Sequence, residues 1–334
     1  MIWIWLLFIL FILALLALDL GVFHRKAHVV GIRESLTWSA VWITLSLLFS
    51  FFIYFAYAHH WEGLGTHTSS MHPNGLSGGQ AVILYLTGYV IEKSLSVDNI
   101  FVMALVFGYF GIPAKYQHRI LFWGILGALI MRGTMIAVGV ALINRFEWIL
   151  YIFGVFLLLT AGKMMFSNSE PNPKNNLLVR LARRWFPITQ ELHGQHFMAH
   201  IDGRWMLTPL ALTLVVVEST DLLFAVDSIP AIFAVTTDPF LIFTSNVFAI
   251  LGLRALYFAL ASILEKFYYL KASLAVILGL VGVKMLAREW LHDIPGMSFY
   301  LLGLIGLIMA IGIVASILRS RRMTAMEPAA VSHG

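Results

Sequence analysis

Glu92, Asp98, Glu218, Asp221 and Asp227 are carboxylates set within stretches otherwise apolar enough to cross a lipid bilayer. The densest stretch is VVVESTDLLFAVDSIPAIF, from Val215 to Phe233, which holds Glu218, Asp221 and Asp227. An ionisable side chain at the centre of a spanning helix costs about 2.5–3.5 kcal/mol even on the lenient insertion scale. Such groups are retained where they face a hydrated, protein-lined cavity or where a cation lies between them, and an ion pathway provides both. Pro230 adds a second cue. It lacks a backbone N–H, so the carbonyl of Val226 loses its helical partner beside Asp227. Carboxylate next to a freed carbonyl is oxygen chemistry for a hard cation.

Spacing limits what each pair of acids can do. Glu92 and Asp98 are six residues apart, so on an intact helix they point roughly 120° away from each other and cannot chelate one ion. Glu218 and Asp221, three apart, share a face. Two arrangements are open: the helices unwind near 96–98 and 226–228, or one acid of each pair takes substrate while the other holds a proton or an ion pair. Pro230 favours unwinding in the second case.

Arg132 and Arg254 also lie deep in apolar runs and read as counterions for these acids, or as a switch that fills the carboxylates when substrate is absent. Lys93 follows Glu92 directly and is either its partner or a relay, whereas Lys163 and Lys284 read as snorkelling stems near span ends. Most of the tryptophans, among them Trp3, Trp5, Trp38, Trp42, Trp61 and Trp290, are expected at the lipid or its interface. The segment from Ala58 to Gln80 carries His59, His60, Glu62, His67, Met71 and His72, a polar loop with the composition to collect metal but no regular ligand spacing. With no cysteine, thiol redox chemistry, disulfides and thiolate metal sites are excluded. There is no phosphate-binding glycine loop, no nucleophile with an adjacent base and no HExxH, so the chain is expected not to be an enzyme and to need no organic cofactor.

The elements that must position these groups are membrane helices. Residues are 60% hydrophobic and 12% charged, with mean hydropathy +0.86, against about 25% charge in soluble domains. The expected fold is an all-α polytopic membrane protein of about nine transmembrane helices, near 3–20, 37–57, 81–107, 120–143, 147–166, 207–233, 240–262, 272–288 and 298–318. With the first connection on the cytoplasmic side, all basic residues of the connections except Arg145 and Arg288 fall on that side. The positive-inside rule then puts the N-terminus outside and the C-terminus in the cytoplasm. That dispersal also argues against nucleic acid as a partner despite a pI near 9.4. The long connection from Ser167 to Thr208 reads as an amphipathic helix around Leu177–Trp185 and then a hairpin turning at Asp202-Gly203.

The spans repeat. Setting Asp98 on Asp227 places Glu92 on Asp221 and Asn99 on Ser228, and further along Arg132 falls on Arg254 and Lys163 on Lys284. A unit of three spans is odd, so consecutive copies run in opposite senses through the membrane, an inverted repeat. The chain divides into 1–80 (two spans and an outer loop), 81–166 (first repeat), 167–206 (cytoplasmic loop), 207–288 (second repeat) and 289–334 (last span and tail).

TGYVIEKSLSVDNIFV, the run from Trp148 to Met164, and VESTDLLFAVDSIPAIFAVTTDPF followed by SNVFAILGLRALYF resemble the TerC family of bacterial inner-membrane proteins, in particular its Alx branch. The resemblance covers nearly the whole chain and implies a LysE-like transporter, linked to tellurium resistance, alkaline pH, manganese export and redox modulation. It places the family's acidic positions on Glu92, Asp98, Glu218, Asp221 and Asp227, with Asn99 and Asn246 as neutral oxygen donors; Ser228 is a further candidate oxygen ligand, and Lys93, Arg132 and Arg254 are the candidate charge partners. Tellurite does not follow from these residues, because an oxyanion wants cationic or N–H donors and the buried surplus is acidic.

The expected function is export of a divalent metal ion, Mn²⁺ by the resemblance, from the bacterial inner membrane, through an acidic midplane site with protons as a candidate counter-flow. Partners are then the metal substrate and the bilayer, with a homo-oligomer left open. Two alternatives stand beside it: an exporter of a cationic organic solute, and a non-transporting membrane partner in metallation or stress.

Overall fold

The computed structural model describes residues 2–18, 31–66, 75–146, 148–166, 186–189, 191–201, 203–260, 269–291, 294 and 296–331, with the side chains of Asp98 and of 320–331 outside that description. It is a helical bundle: α1 (Ile2–Leu18), α2 (Ile32–Ala58), α3 (Gly78–Tyr109), α4 (Ala114–Arg145) and α5 (Ile149–Phe166) come first. A hairpin of β1 (Met198–Ile201) and β2 (Arg204–Leu207) follows, then α6 (Pro209–Phe233), α7 (Pro239–Leu251), α8 (Leu253–Leu260), α9 (Leu270–Leu286), the single turn α10 (Arg288–Leu291) and α11 (Met297–Val331). Among the described residues, 6 helical segments are long and apolar enough to cross a membrane, the α7–α8 pair counting as one. The other three expected spans coincide with α1 and α9, of 17 residues each, and with α3, which is 32 residues long but carries Glu92, Lys93 and Asp98.

Local sequence sets several ends. Ser77 and Gln80 form a capping box at the start of α3, with the Gln80 amide donating to Ser77 Oγ and the Ser77 amide donating to Gln80 Oε1 at 3.0 Å. Asp238 caps α7 by accepting from the amides of Phe240 and Leu241, ahead of Pro239 in the first turn. Tyr57 of α2 donates to the same carboxylate at 2.8 Å and so ties α2 to the start of α7. Tyr57→Phe is expected to lower stability by about 1 kcal/mol, the net worth of one hydrogen bond, read as a lower unfolding temperature in detergent. The hairpin pairs Met198 with Leu207 and Ile201 with Arg204, closing through Gly203 at φ 77°, as the Asp-Gly turn requires.

Two expectations about backbone are corrected. The helix α6 runs unbroken past Pro230, which sits one turn from its end and disturbs little, and α3 is continuous through Ser96–Asp98. The interrupted helix is the next one. α7 stops at Leu251 and α8 restarts at Leu253, with Gly252 between them. A β-carbon at Gly252 would lie 2.6 Å from Lys93 Nζ and 3.3 Å from the β-carbon of Trp42. Lys93 donates at 3.2 Å to the carbonyl of Ala249 in the last turn of α7. A buried ammonium on helix C-terminal carbonyls is favoured by the helix dipole and satisfies an acceptor that the break exposes. Lys93 is therefore bound to α7 rather than to Glu92, and Lys284 likewise donates at 2.7 Å to the Ala234 carbonyl at the end of α6. Trp42 is 5% exposed and packs inside the bundle, so its expected place at the lipid is also corrected.

The buried core is divided in two. One apolar cluster joins Tyr57, Tyr85, Ile91, Ile136, Phe233, Phe240 and Phe248; the other joins Ile100, Val106, Phe107, Leu121, Val217, Leu253 and Tyr257. The division crosses α3 between Ile91 and Ile100, α6 between Val217 and Ala225, and the α7–α8 pair around Gly252. These are the stretches that carry the buried polar groups Glu92, Asn99, Asp221, Asn246 and Arg254. The second cluster adjoins the β-hairpin, and its end of the bundle is called the hairpin end below.

Candidate cation site

At the centre of the polar layer lies Arg132 of α4, 2% exposed. Its guanidinium is bidentate on Asp221 of α6, with Nη2 donating to Oδ1 at 2.8 Å and Nε to Oδ2 at 3.1 Å. Nη1 donates to Glu92 of α3 and, at 3.3 Å, to Asn246 Oδ1 of α7. The Asn246 amide donates in turn to the other oxygen of Glu92 at 3.3 Å. Four helices thus contribute to one network, with Glu92 fully buried and Asp221 at 4% exposure. Planar fork geometry makes arginine suited to this, since two parallel N–H donors fit one carboxylate and leave others for a second acid.

Glu92 and Asp221 are the positions equivalent in the repeat, and the structure brings them to opposite sides of one cation. The other expected acids lie elsewhere. Glu218, half-buried and one turn from Asp221, packs against Gly127 of α4, where a β-carbon would collide with its carboxylate. Among the described residues, no side chain donates a hydrogen bond to Glu218. Asp227 turns toward α5, where Thr160 Oγ1 donates to it at 3.2 Å and Lys163 acts on it electrostatically. The Asp98 side chain lies outside the described residues. Among those described, no three His, Asp or Glu side chains come together to hold a metal ion. The four described acids do not form one cradle in this conformation; two hold Arg132, one borders them and one faces away.

A narrow cavity reaches the network from the hairpin end, lined by Met103, Leu121, Gly124, Ile125, Ala128, Val217, Asp221, Ile250, Leu253 and Arg254. Arg254, the repeat equivalent of Arg132, is thus on the wall of the same cavity as Asp221. On the other side of the network the helices are packed through tilted and edge-on aromatic rings, including Phe8, Phe49, Tyr85 and Phe248. Ser228 and Asn99 are buried at 1% and 2% exposure, and neither Ser228 Oγ nor Asn99 Oδ1 has a hydrogen-bond partner among the described residues.

Sequence reasoning misses two parts of this arrangement. One is Gly127, although a mid-span glycine opposite an acidic helix is the signal for close approach. The other is Gly252, which between two apolar runs is the equivalent signal for the helix break. The hairpin at Asp202-Gly203 is as expected, while the amphipathic segment around Leu177–Trp185 and His67, Met71 and His72 of the outer loop lie outside the described residues.

The chain is similar to known membrane proteins over most of its length. The chain is 48% identical over 318 residues to an uncharacterized membrane protein of Myxococcus xanthus, covering 95% of this chain and 92% of that one. It is 43% identical over 312 residues to the membrane-bound redox modulator Alx of Photorhabdus laumondii, covering 93% of each. Alx of Escherichia coli strain K12 is 47% identical over 280 residues, 83% of this chain and 84% of that protein. No solved structure matches. The model of the integral membrane protein TerC family matches residues 77–324, which include both repeats and every residue of the Arg132 network, and the chain belongs to that family.

Proposed function

We propose that this protein carries a divalent cation, Mn²⁺ foremost, out across the bacterial inner membrane, and that Arg132 holds the ion's place between Glu92 and Asp221 until the ion arrives. One observation carries the reading: a deeply buried cation gripped by two carboxylates and an amide oxygen, with the acids coming from the two repeats. Carboxylate and amide oxygens suit Mn²⁺, Mg²⁺ and Ca²⁺ and not soft Cu(I). Manganese is the choice that the family resemblance favours.

The packing supports alternation. The strongest packed pairs within the two repeats are related by exchanging α3 with α6, α4 with the α7–α8 pair, and α5 with α9: α3 on α7 becomes α6 on α4, and α5 on α9 maps to itself. Two repeats related by a pseudo-two-fold axis suit alternation between an arrangement open at one end and one open at the other. The cavity lies on the hairpin side of the network, and since the positive-inside reading gives that side to the cytoplasm, an exporter would load here. An arriving ion takes Asp221 first, then Glu92, as Arg132 withdraws. A cation with no differential affinity for the two arrangements would shift nothing.

Glu218, one turn before Asp221 on α6, faces Gly127, which gives its carboxylate room. Gly127→Ala is expected to reduce initial Mn²⁺ flux at least tenfold by displacing that carboxylate. The unfolding temperature should hold, because alanine raises helix propensity by about 1 kcal/mol. Flux of Mn²⁺ into inverted vesicles or proteoliposomes tests the function directly, and wild-type protein that carries no divalent cation at matched content would end the proposal.

The geometry also favours a second reading. Since the network already fits a guanidinium, a cationic organic solute bearing that group is the competing substrate. Inhibition of Mn²⁺ flux by Mg²⁺ and Ca²⁺ but not by arginine supports the metal; the reverse order supports the solute. The redox name borne by the relatives is compatible with either reading only indirectly, since this chain has no cysteine to cycle.

A further inference from the structure

Of the four buried side-chain oxygens without hydrogen-bond partners among the described residues, Ser39 Oγ, Tyr89 Oη, Asn99 Oδ1 and Ser228 Oγ, the last two form a pattern. Asn99 lies seven residues after Glu92 on α3, and Ser228 lies seven residues after Asp221 on α6. Seven residues are two turns of helix, about 700°, so each oxygen shares a face with the acid that grips Arg132, about 10 Å along the axis. Asn99 lies toward the hairpin end, since α3 finishes there, and Ser228 lies toward the opposite end, since α6 starts there. The two orphans therefore flank the Arg132 network on its two sides at positions equivalent in the repeat.

Burial of a polar oxygen without a hydrogen bond is costly, and replacing the group by an apolar one of similar shape is neutral or stabilising as far as the fold is concerned. Two such oxygens at equivalent places call for a ligand. We infer that Asn99 and Ser228 are transfer stations for the cation, one on each side of the Arg132 lock, where a hydrated ion exchanges water for a neutral protein oxygen before or after the carboxylates. Neutral donors suit this step because they bind weakly enough to release. The inference rests on the transport reading and adds to it a two-station path with a defined sidedness: Asn99 serves the hairpin side and Ser228 the other.

The test uses the full chain in proteoliposomes of uniform orientation, with Mn²⁺ as probe supplied from either side. Asn99→Leu and Ser228→Ala are compared with wild type and with Ser39→Ala, which removes another buried hydroxyl without a partner among the described residues, on α2 and outside the repeats. Expected is a tenfold or larger rise in KM with Asn99→Leu only when Mn²⁺ is supplied at the hairpin side, and with Ser228→Ala only from the opposite side. Unfolding temperatures should be unchanged or raised, and Ser39→Ala should transport as wild type. Variants that match wild type from both sides, or that lose flux together with stability, overturn the stations while leaving transport intact. A wild type that carries no divalent cation removes the transport reading and the stations with it.

Discussion

Arg132→Met should leave almost no folded protein in the membrane, because it strips the cation from two carboxylates that have no water to turn to. Glu92 is fully buried and Asp221 is 4% exposed. Removing one partner of a buried ion pair costs about 3–5 kcal/mol, a large part of a typical stability of roughly 5–15 kcal/mol. The informative comparison is with the triple variant, in which Glu92→Gln and Asp221→Asn are added. Neutral amides need no counterion, so folded protein should return to near the wild-type amount by size-exclusion chromatography in detergent. Mn²⁺ flux should not return. Triple-variant protein that still transports would show that these two acids do not touch the ion, and a stable Arg132→Met would show that the two carboxylates do not depend on this arginine for their charge.

Neutralising one acid at a time has the second large effect. Asp221→Asn and Glu92→Gln keep shape and an acceptor oxygen for Arg132, so the fold should survive each. The ion loses a charged ligand. A hundredfold fall in Mn²⁺ flux at low concentration is expected for each, equivalent to about 2.7 kcal/mol of lost binding. Asp227→Asn is the contrast. Its carboxylate accepts from Thr160 and is directed to α5, away from the network, so the fall should stay within about tenfold. Equal losses at 221 and 227 would mean that the ion also passes along the α5 side of α6, and the assignment of Glu92 and Asp221 as the principal pair would be wrong.

The all-α membrane architecture and the β1–β2 hairpin are legible in the sequence because each rests on local pattern: apolar length and turn residues. The repeat register pairs Glu92 with Asp221, the two acids that meet. It cannot say which arginine they share, since Arg132 and Arg254 are equivalent on paper and only packing separates them. Proline misleads. Pro230 is close enough to the end of α6 to forfeit only a terminal bond, whereas the effective interruption at Gly252 depends on the Lys93 ammonium from another helix reaching the freed carbonyls, a long-range contact that no local window contains. For the same reason Lys93 reads as the neighbour of Glu92 in sequence but serves α7 in space.

Arg132 follows Glu92 by 40 residues, whereas Asp221 follows Arg132 by 89. At about 5–20 residues per second of synthesis, α6 leaves the ribosome roughly 4–18 s after α4. During that interval α3 and α4 can enter the lipid as a hairpin with Glu92 already on Arg132, so this acid need not enter as a bare charge. Asp221 is made later and docks on an arginine of the first repeat that is already in place. Biogenesis of this protein is thereby ordered by charge, first half before second, and separately expressed halves should assemble only when the amino-terminal one is made first or together with the other.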